Sequence, residues 1–125
     1  MNGTLLVFVG GGLGAAARHV INSLSMVLFG SRYPWGTFVI NVVGSLLIGV
    51  LAEWFALHAQ PSANLRLFLV TGLLGGFTTF SAFSLEVGLL HERGATGAAI
   101  AYAALSVICG VGAMFGGMFA VRQLA

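Results

Sequence analysis

The sequence predicts an all-α membrane protein with four transmembrane helices per subunit, the third broken near its middle. Composition is the first observation behind this: 58% of the 125 residues are hydrophobic and only 6% are charged, with a mean hydropathy of +1.03. A soluble domain carries about a quarter charged residues, so water is not the main solvent of this chain. Spacing is the second observation. Apolar runs of about 20 residues, enough for a helix to cross roughly 30 Å of hydrocarbon, can be drawn four times. The third is the 19 glycines, a residue commoner in transmembrane helices, where it lets backbones approach closely.

The first span is expected at residues 4–29. Its TLLVFVGGGLG run, followed by Ala15, Ala16 and Ala17, imitates a secretory signal with a small-residue cleavage site. No positive charge precedes it and three more apolar segments follow, so it reads as a span. The second is expected at 35–57, where Trp35 and Trp54 stand roughly 28 Å apart along a helix and could mark both interfaces. The third is expected at 65–90 and the fourth at 95–121, all within a single membrane domain covering residues 1–125. SRYPWGT, HAQPSAN and HERG separate the spans, carrying turn residues and the charged Arg32, Glu92 and Arg93.

Orientation normally follows the arginine and lysine bias between loops. This chain has no lysine and five arginines. Up-and-down threading puts Arg66 and Arg122 on the side of the N-terminus, Arg32 and Arg93 on the other, and Arg18 inside the first span. Two against two gives no bias. Either a subtler signal orients the protein, or copies insert both ways and pair as an antiparallel, dual-topology homodimer; the balance of arginines favours the second.

Each span carries small and polar residues at steps of three and four, which share one helix face. In the first they are Gly11, Gly14, Arg18, Asn22 and Ser25, and in the second Thr37, Asn41, Gly44, Ser45, Gly49 and Ala52. The fourth offers Tyr102, Ser106, Cys109, Gly110, Ala113 and Gly117. Tight helix packing accounts for most of the glycines, with Gly10/Gly14 and Gly112/Gly116 as the expected small-residue contacts. It does not account for Arg18, Asn41, Glu53 or Glu86. A charge near the bilayer centre costs at least about 2.5–3.5 kcal/mol and usually faces water or a partner. Arg18 therefore either favours an anion in a wet cavity or pairs with a carboxylate such as Glu86. The Asn41 amide either donates to an anion or joins two helices.

GGFTTFSAFS, residues 75–84, is the densest polar stretch in the apolar part of the chain. Thr78, Thr79, Ser81 and Ser84 bring hydroxyls, and Phe80, Phe83 and Ser84 share a face. A phenyl ring is positive at its edge, so two rings with hydroxyl protons nearby form a weakly attractive lining for a small anion. Packing in the core or against lipid is the ordinary alternative for such a pair. At Gly75 and Gly76 the helix can break, and freed carbonyls at membrane depth need partners in protein, water or an ion. A hard cation such as sodium prefers such oxygen ligands.

Several classes are excluded. The pI near 9.3 reflects a net charge of +2 on a nearly uncharged chain, with no basic cluster for nucleic acid. Cys109 is the only cysteine, and His19, His58 and His91 are scattered. GGGLGAAA at 10–17 imitates a dinucleotide fingerprint but lacks the strand, crossover helix and sheet such a site needs. No nucleophile, base and orienting residue can be assembled, so the chain is not expected to be an enzyme.

GGFTTFSAFSLE, with GTFVIN at 36–41 and GGLGAAAR at 11–18, resembles the Fluc fluoride channels of the CrcB family across all four spans. The resemblance implies an antiparallel homodimer in a bacterial cytoplasmic (inner) membrane that exports fluoride through two narrow pores and so lowers its toxicity. A structural Na+ would sit at the dimer centre, held by main-chain carbonyls of Gly75 and Thr78 from each subunit. Phe80 and Phe83 would line the pore, with Asn41 in the vestibule and Arg18 from the first span. The hydroxyl track would include Ser81, Ser84, Tyr102 and Ser106, with Thr37 counted on the pathway and Glu86 near a pore mouth. Ala82 and Gly110 depart from the family pattern, each removing a hydroxyl. The competing class is a proton-coupled small multidrug-type transporter of dual topology, which needs a deep carboxylate in the first span where this chain has Arg18. A non-transporting assembly subunit is the third reading, and it leaves the hydroxyl cluster unexplained.

Overall fold

The computed structural model describes residues 2–58 and 61–124; residues 59 and 60, inside the HAQPSAN linker, lie outside the described set. Four helical segments are long and apolar enough to cross a membrane: Gly3–Phe29, Trp35–Leu57, Ala63–Glu92 and Thr96–Leu124. Their bounds match the expected spans to within about three residues, the scatter usual at helix ends. Large apolar side chains such as Phe8, Val27, Ile108 and Phe119 face outward, as a bundle whose solvent is lipid requires.

Local chemistry explains where the helices stop and start. α1 (Gly3–Phe29) begins where the Asn2 side chain accepts the Thr4 N–H at 2.7 Å. It ends at Gly30, whose φ of 78° suits glycine alone. α2 (Trp35–Leu57) follows Pro34. In the third span α3 (Ala63–Arg66) is capped by Ser62, whose Oγ accepts the Leu65 N–H at 3.1 Å. A π-helical stretch (Leu67–Leu74) and the short α4 (Gly75–Phe77) continue it. Thr78 and Thr79 then leave the helical conformation, with φ, ψ of −82°, 157° and −150°, 120°. The span resumes as α5 (Phe80–Glu92) and bends at these two residues. The glycines expected as the weak point do not yield: Gly75 is helical at φ −62°, ψ −38°. α6 (Thr96–Leu124) follows the turn at Gly94, whose φ is 83°.

Two helix pairs build the bundle. α1 packs along the π-helical stretch and α4, and α2 packs along α6, which also receives α5. Glycine sets both crossings. A Cβ on Gly14 would run into the Leu73 carbonyl, and one on Gly76 into the Gly11 carbonyl. Across the other pair, Gly49 faces the Met114 carbonyl and Gly117 the Leu46 carbonyl. Gly10 and Gly14 thus pack as expected, while Gly112 and Gly116 do not: both open onto empty space outside the chain. In α6 the close contacts come from Gly117, and Gly110 makes an ordinary contact with the Ser45 hydroxyl.

The arginines group as up-and-down threading requires. At one end the Arg122 guanidinium holds the buried Glu53 carboxylate, Nε to Oε1 at 2.9 Å and Nη2 to Oε2 at 3.3 Å. The Arg66 guanidinium lies over the Phe55 ring close by. At the other end Arg93 Nη2 donates to the Arg32 carbonyl at 2.6 Å.

Gly14 and Gly12 separate packing from helix propensity within one helix, since a Cβ on Gly12 meets nothing. Gly14→Ala is expected to destabilise the protein by about 1–3 kcal/mol through overpacking against backbone that cannot yield. Gly12→Ala is expected to be neutral or slightly stabilising, because alanine is the better helix former. Thermal unfolding in detergent measures both; equal effects would contradict the crossing geometry.

Candidate functional site: a groove beside the bend in the third span

The bend puts two residues of extended backbone inside an apolar bundle, where each polar group needs a partner. Asn41, on α2, supplies them for Thr79. Its Nδ2 donates to the Thr79 carbonyl at 3.0 Å and its Oδ1 accepts the Thr79 N–H at 2.9 Å. Of the two uses expected for Asn41, the structure shows the helix-joining one. One turn further along α2, a Cβ on Gly44 would collide with the Thr78 methyl, so glycine there lets the bend seat against α2.

The remaining bonds follow. The Thr78 hydroxyl donates back to the Leu74 carbonyl at 3.0 Å. The Thr79 hydroxyl caps α5 by accepting the Ala82 N–H at 3.1 Å, and lies 3.3 Å from the Ser81 hydroxyl. Two donors are thereby diverted. In a continuous helix the Thr79 N–H would close onto the Gly75 carbonyl and the Ala82 N–H onto the Thr78 carbonyl. Here the first goes to Asn41 and the second to the Thr79 side chain. The carbonyls of Gly75 and Thr78 lose their helical partners. Between them, the Gly76 carbonyl accepts from Arg18 Nε at 3.2 Å. Arg18 is thus bonded to the third span and not to Glu86.

An open groove of about 410 Å³ runs beside the bend and is lined by Asn41, Gly75, Thr78, Phe80, Phe83 and Ser106, with Gly44, Ser45 and the apolar Ile48 and Val107 also on its wall. Phe80 is 77% exposed, so this side of the groove is open to the outside of the chain. The Phe80 and Phe83 rings are tilted with centroids 5.6 Å apart, and Phe83 stands 5.3 Å from the Tyr102 ring. The Ser106 hydroxyl is buried and has no hydrogen-bond partner among the described residues. Such an atom costs free energy unless something outside the chain meets it.

Other expected residues lie elsewhere. Thr37, fully buried, donates its hydroxyl proton to Glu86 Oε1 at 2.8 Å, and the Tyr102 hydroxyl donates to Oε2 at 2.9 Å. Thr37 and Glu86 line a second cavity at the Arg32 end of the bundle. Ser81 and Ser84 are exposed, and Ser84 donates back to the Phe80 carbonyl at 3.0 Å. The expected residues are therefore divided among the groove, the Glu86 cluster, the outer face of α5 and the Arg18–Gly76 bond. Both carboxylates that face the bundle are engaged, Glu86 by two hydroxyls and Glu53 by Arg122. That occupancy gives no support to a proton-exchanging carboxylate shared with a cationic substrate. Sequence reasoning placed Gly44 on the small-residue face of the second span but not against Thr78, and it missed the Glu53–Arg122 pair. It also missed Thr79 as the cap of α5, although a threonine at the start of a helix carries that signal.

A protein-family model described as "CrcB-like protein, Camphor Resistance (CrcB)" matches residues 5–118. A protein of Rhodopseudomonas palustris (strain BisB5) named "Fluoride-specific ion channel FluC" is 51% identical over 120 residues, covering 96% of this chain and 97% of its own. One of the same name from Novosphingobium aromaticivorans is 51% identical over 127 residues, covering 100% of both chains. Another from Hyphomonas neptunium is 49% identical over 125 residues, covering 99% and 98%.

Asn41→Leu removes both partners of the Thr79 backbone while keeping the side chain's branched outline. Stranding these groups is expected to cost about 1–3 kcal/mol each, visible as a lower unfolding temperature in detergent. An unchanged temperature would show that the bend does not depend on Asn41.

Proposed function

The chain belongs to the CrcB family, and on that premise we propose that it is a fluoride-selective channel letting F⁻ leave the cytoplasm across a bacterial inner membrane. The observation that carries this reading is the near-full-length likeness, at about half identity, to proteins named as fluoride-specific channels. No catalytic step is involved. Fluoride enters acidified cells as neutral HF, dissociates inside, and leaves as the anion down its gradient.

The groove supports a route for the anion. Ring edges of Phe80 and Phe83 offer a weakly positive lining, and the Ser106 hydroxyl has no hydrogen-bond partner among the described residues. Fluoride holds its water strongly, so a dry lining needs such a donor where water is lost. At the Glu86 cluster the Thr37 and Tyr102 hydroxyls already point their protons at a carboxylate. An anion arriving there competes with Glu86 for the same two protons. Tyr102 joins the two places, with its ring against Phe83 and its hydroxyl on Glu86. Asn41 and Arg18 act in this reading by holding the bend, and Ser81 and Ser84 lie beside the rings on the outer face.

The open side of the groove supports a second copy of the chain as the element that closes it, and the balanced arginines support an antiparallel arrangement. The diverted helix donors support a cation at the bend. Gly75 and Thr78 offer carbonyl oxygens without their helical partners, the ligand type a hard cation such as Na+ takes. Two from each copy would hold it; such an ion would supply positive charge between the bends and meet four carbonyl dipoles that lack their helical donors.

Liposomes loaded with fluoride and containing purified protein are expected to release it, with chloride retained. Fluoride release no faster than from empty vesicles, with folded protein present, would end the proposal. Phe80→Ile and Phe83→Ile are each expected to slow release by roughly tenfold, the scale of a lost aromatic contact, without loss of the dimer on size exclusion. Unchanged release would refute the role of the ring edges.

A further inference from the structure

The second cavity, of about 420 Å³, is lined by Asn22, Ser25, Arg32, Thr37, Glu86 and Arg93 among others. Its depth follows from the helix. Glu86 and Arg93 are seven residues apart on and just past α5, roughly 10 Å at the helical rise. Glu86 with its Thr37 bond is therefore the inner end, and Arg32 and Arg93 stand at the outer one.

Neither arginine is held there by an ion pair among the described residues. Arg93 Nη2 donates to the Arg32 carbonyl at 2.6 Å, which ties the end of α5 to the loop before α2. A guanidinium carries five N–H donors, so this bond positions the group and leaves its charge intact. The Arg32 guanidinium rests over the Tyr33 ring, 5.5 Å from its centroid. Among the described residues neither arginine has a carboxylate partner, the ion pair of the structure being Glu53–Arg122 at the opposite end. The other titratable groups nearby are Glu86 at the inner end, Glu92 exposed beside Arg93, and His91, whose Nδ1 is 2.8 Å from the Thr96 hydroxyl.

We propose that Arg32 and Arg93 form an anion-capture pair at this cavity mouth, concentrating a small inorganic anion before it reaches the Thr37–Glu86–Tyr102 hydroxyls. The proposal rests on the fluoride-channel reading and names the residues that would feed its path. Low-dielectric walls focus the field of fixed charges into a cleft and raise local counter-ion concentration. One unit charge about 7 Å away in water changes that concentration roughly threefold. The effect acts on capture, so it governs current when fluoride is scarce and vanishes when the path is saturated.

Single-channel fluoride current in planar bilayers of neutral lipid tests this per inserted protein. Ionic strength is set with a salt of a large anion such as gluconate. Arg93→Gln and Arg32→Gln are each expected to lower the current roughly threefold at low fluoride and about 10 mM ionic strength. The difference should close near 1 M, where screening acts within about 3 Å, and at saturating fluoride. Arg93→Lys, which keeps the charge, should retain the wild-type salt dependence. Variants equal to wild type at low ionic strength, or reduced by the same factor at both, would overturn the capture role. If Arg93→Gln does not insert, Arg32→Gln and Arg93→Lys decide the matter. Wild-type protein without fluoride current would instead remove the channel reading, and this proposal with it.

Discussion

Backbone that leaves a helix inside hydrocarbon has no water to turn to, and each stranded group there costs several kcal/mol. The Asn41 amide, meeting both the N–H and the C=O of Thr79, is the interaction that makes the third span's bend tenable. Much else depends on it. With Thr79 held extended, its hydroxyl is free to cap α5, which starts the helix at Phe80 and sets the direction of that ring. Holding Thr79 also takes its N–H from Gly75, and the cap takes the Ala82 N–H from Thr78. One side chain on α2 thus fixes a bend, a helix start, an aromatic pair and two carbonyls without their helical donors.

The first helix supports the same segment from the other side. Gly11 and Gly14 bring the backbone of α1 against Leu73, Gly76 and Phe77, close enough for Arg18 to reach the Gly76 carbonyl at 3.2 Å. A guanidinium deep in a span needs acceptors, and a carbonyl just before a bend is one that the helix cannot fully use. Arg18 and the bend therefore satisfy each other. The second helix pair, α2 with α6, carries the rest of the groove, and Gly49 and Gly117 set its closeness.

Much of this architecture was legible in the residues. Apolar run length located four membrane-length helices because the hydrocarbon thickness admits few alternatives. The Gly10/Gly14 contact was legible for the same kind of reason: small residues four apart on one face of α1. Gly112/Gly116 carry the same pattern and face outward, because a pattern gives a face and not its neighbour. The position of the bend was misread for a related reason. Gly75 and Gly76 are the weakest helix formers in the segment, yet both stay helical within α4. Thr78 and Thr79 leave the helix because a partner 38 residues away in sequence takes the Thr79 backbone. Local propensity does not contain that information. Arg18 and Asn41 stood out as polar residues needing partners, and the sequence left two partners open for each. The packed bundle gave Asn41 its helix-joining role and gave Arg18 a partner that was neither of those two, the Gly76 carbonyl.

Backbone amide hydrogen exchange of the protein in lipid nanodiscs, read at Thr79 by NMR, tests the central constraint most directly. The account predicts that the Thr79 amide exchanges as slowly as mid-helix amides of α2, although its residue is extended, and that Asn41→Leu makes it fast while the α2 amides stay protected. A Thr79 amide that exchanges freely in the wild-type protein, or one that stays slow after Asn41→Leu, would contradict it.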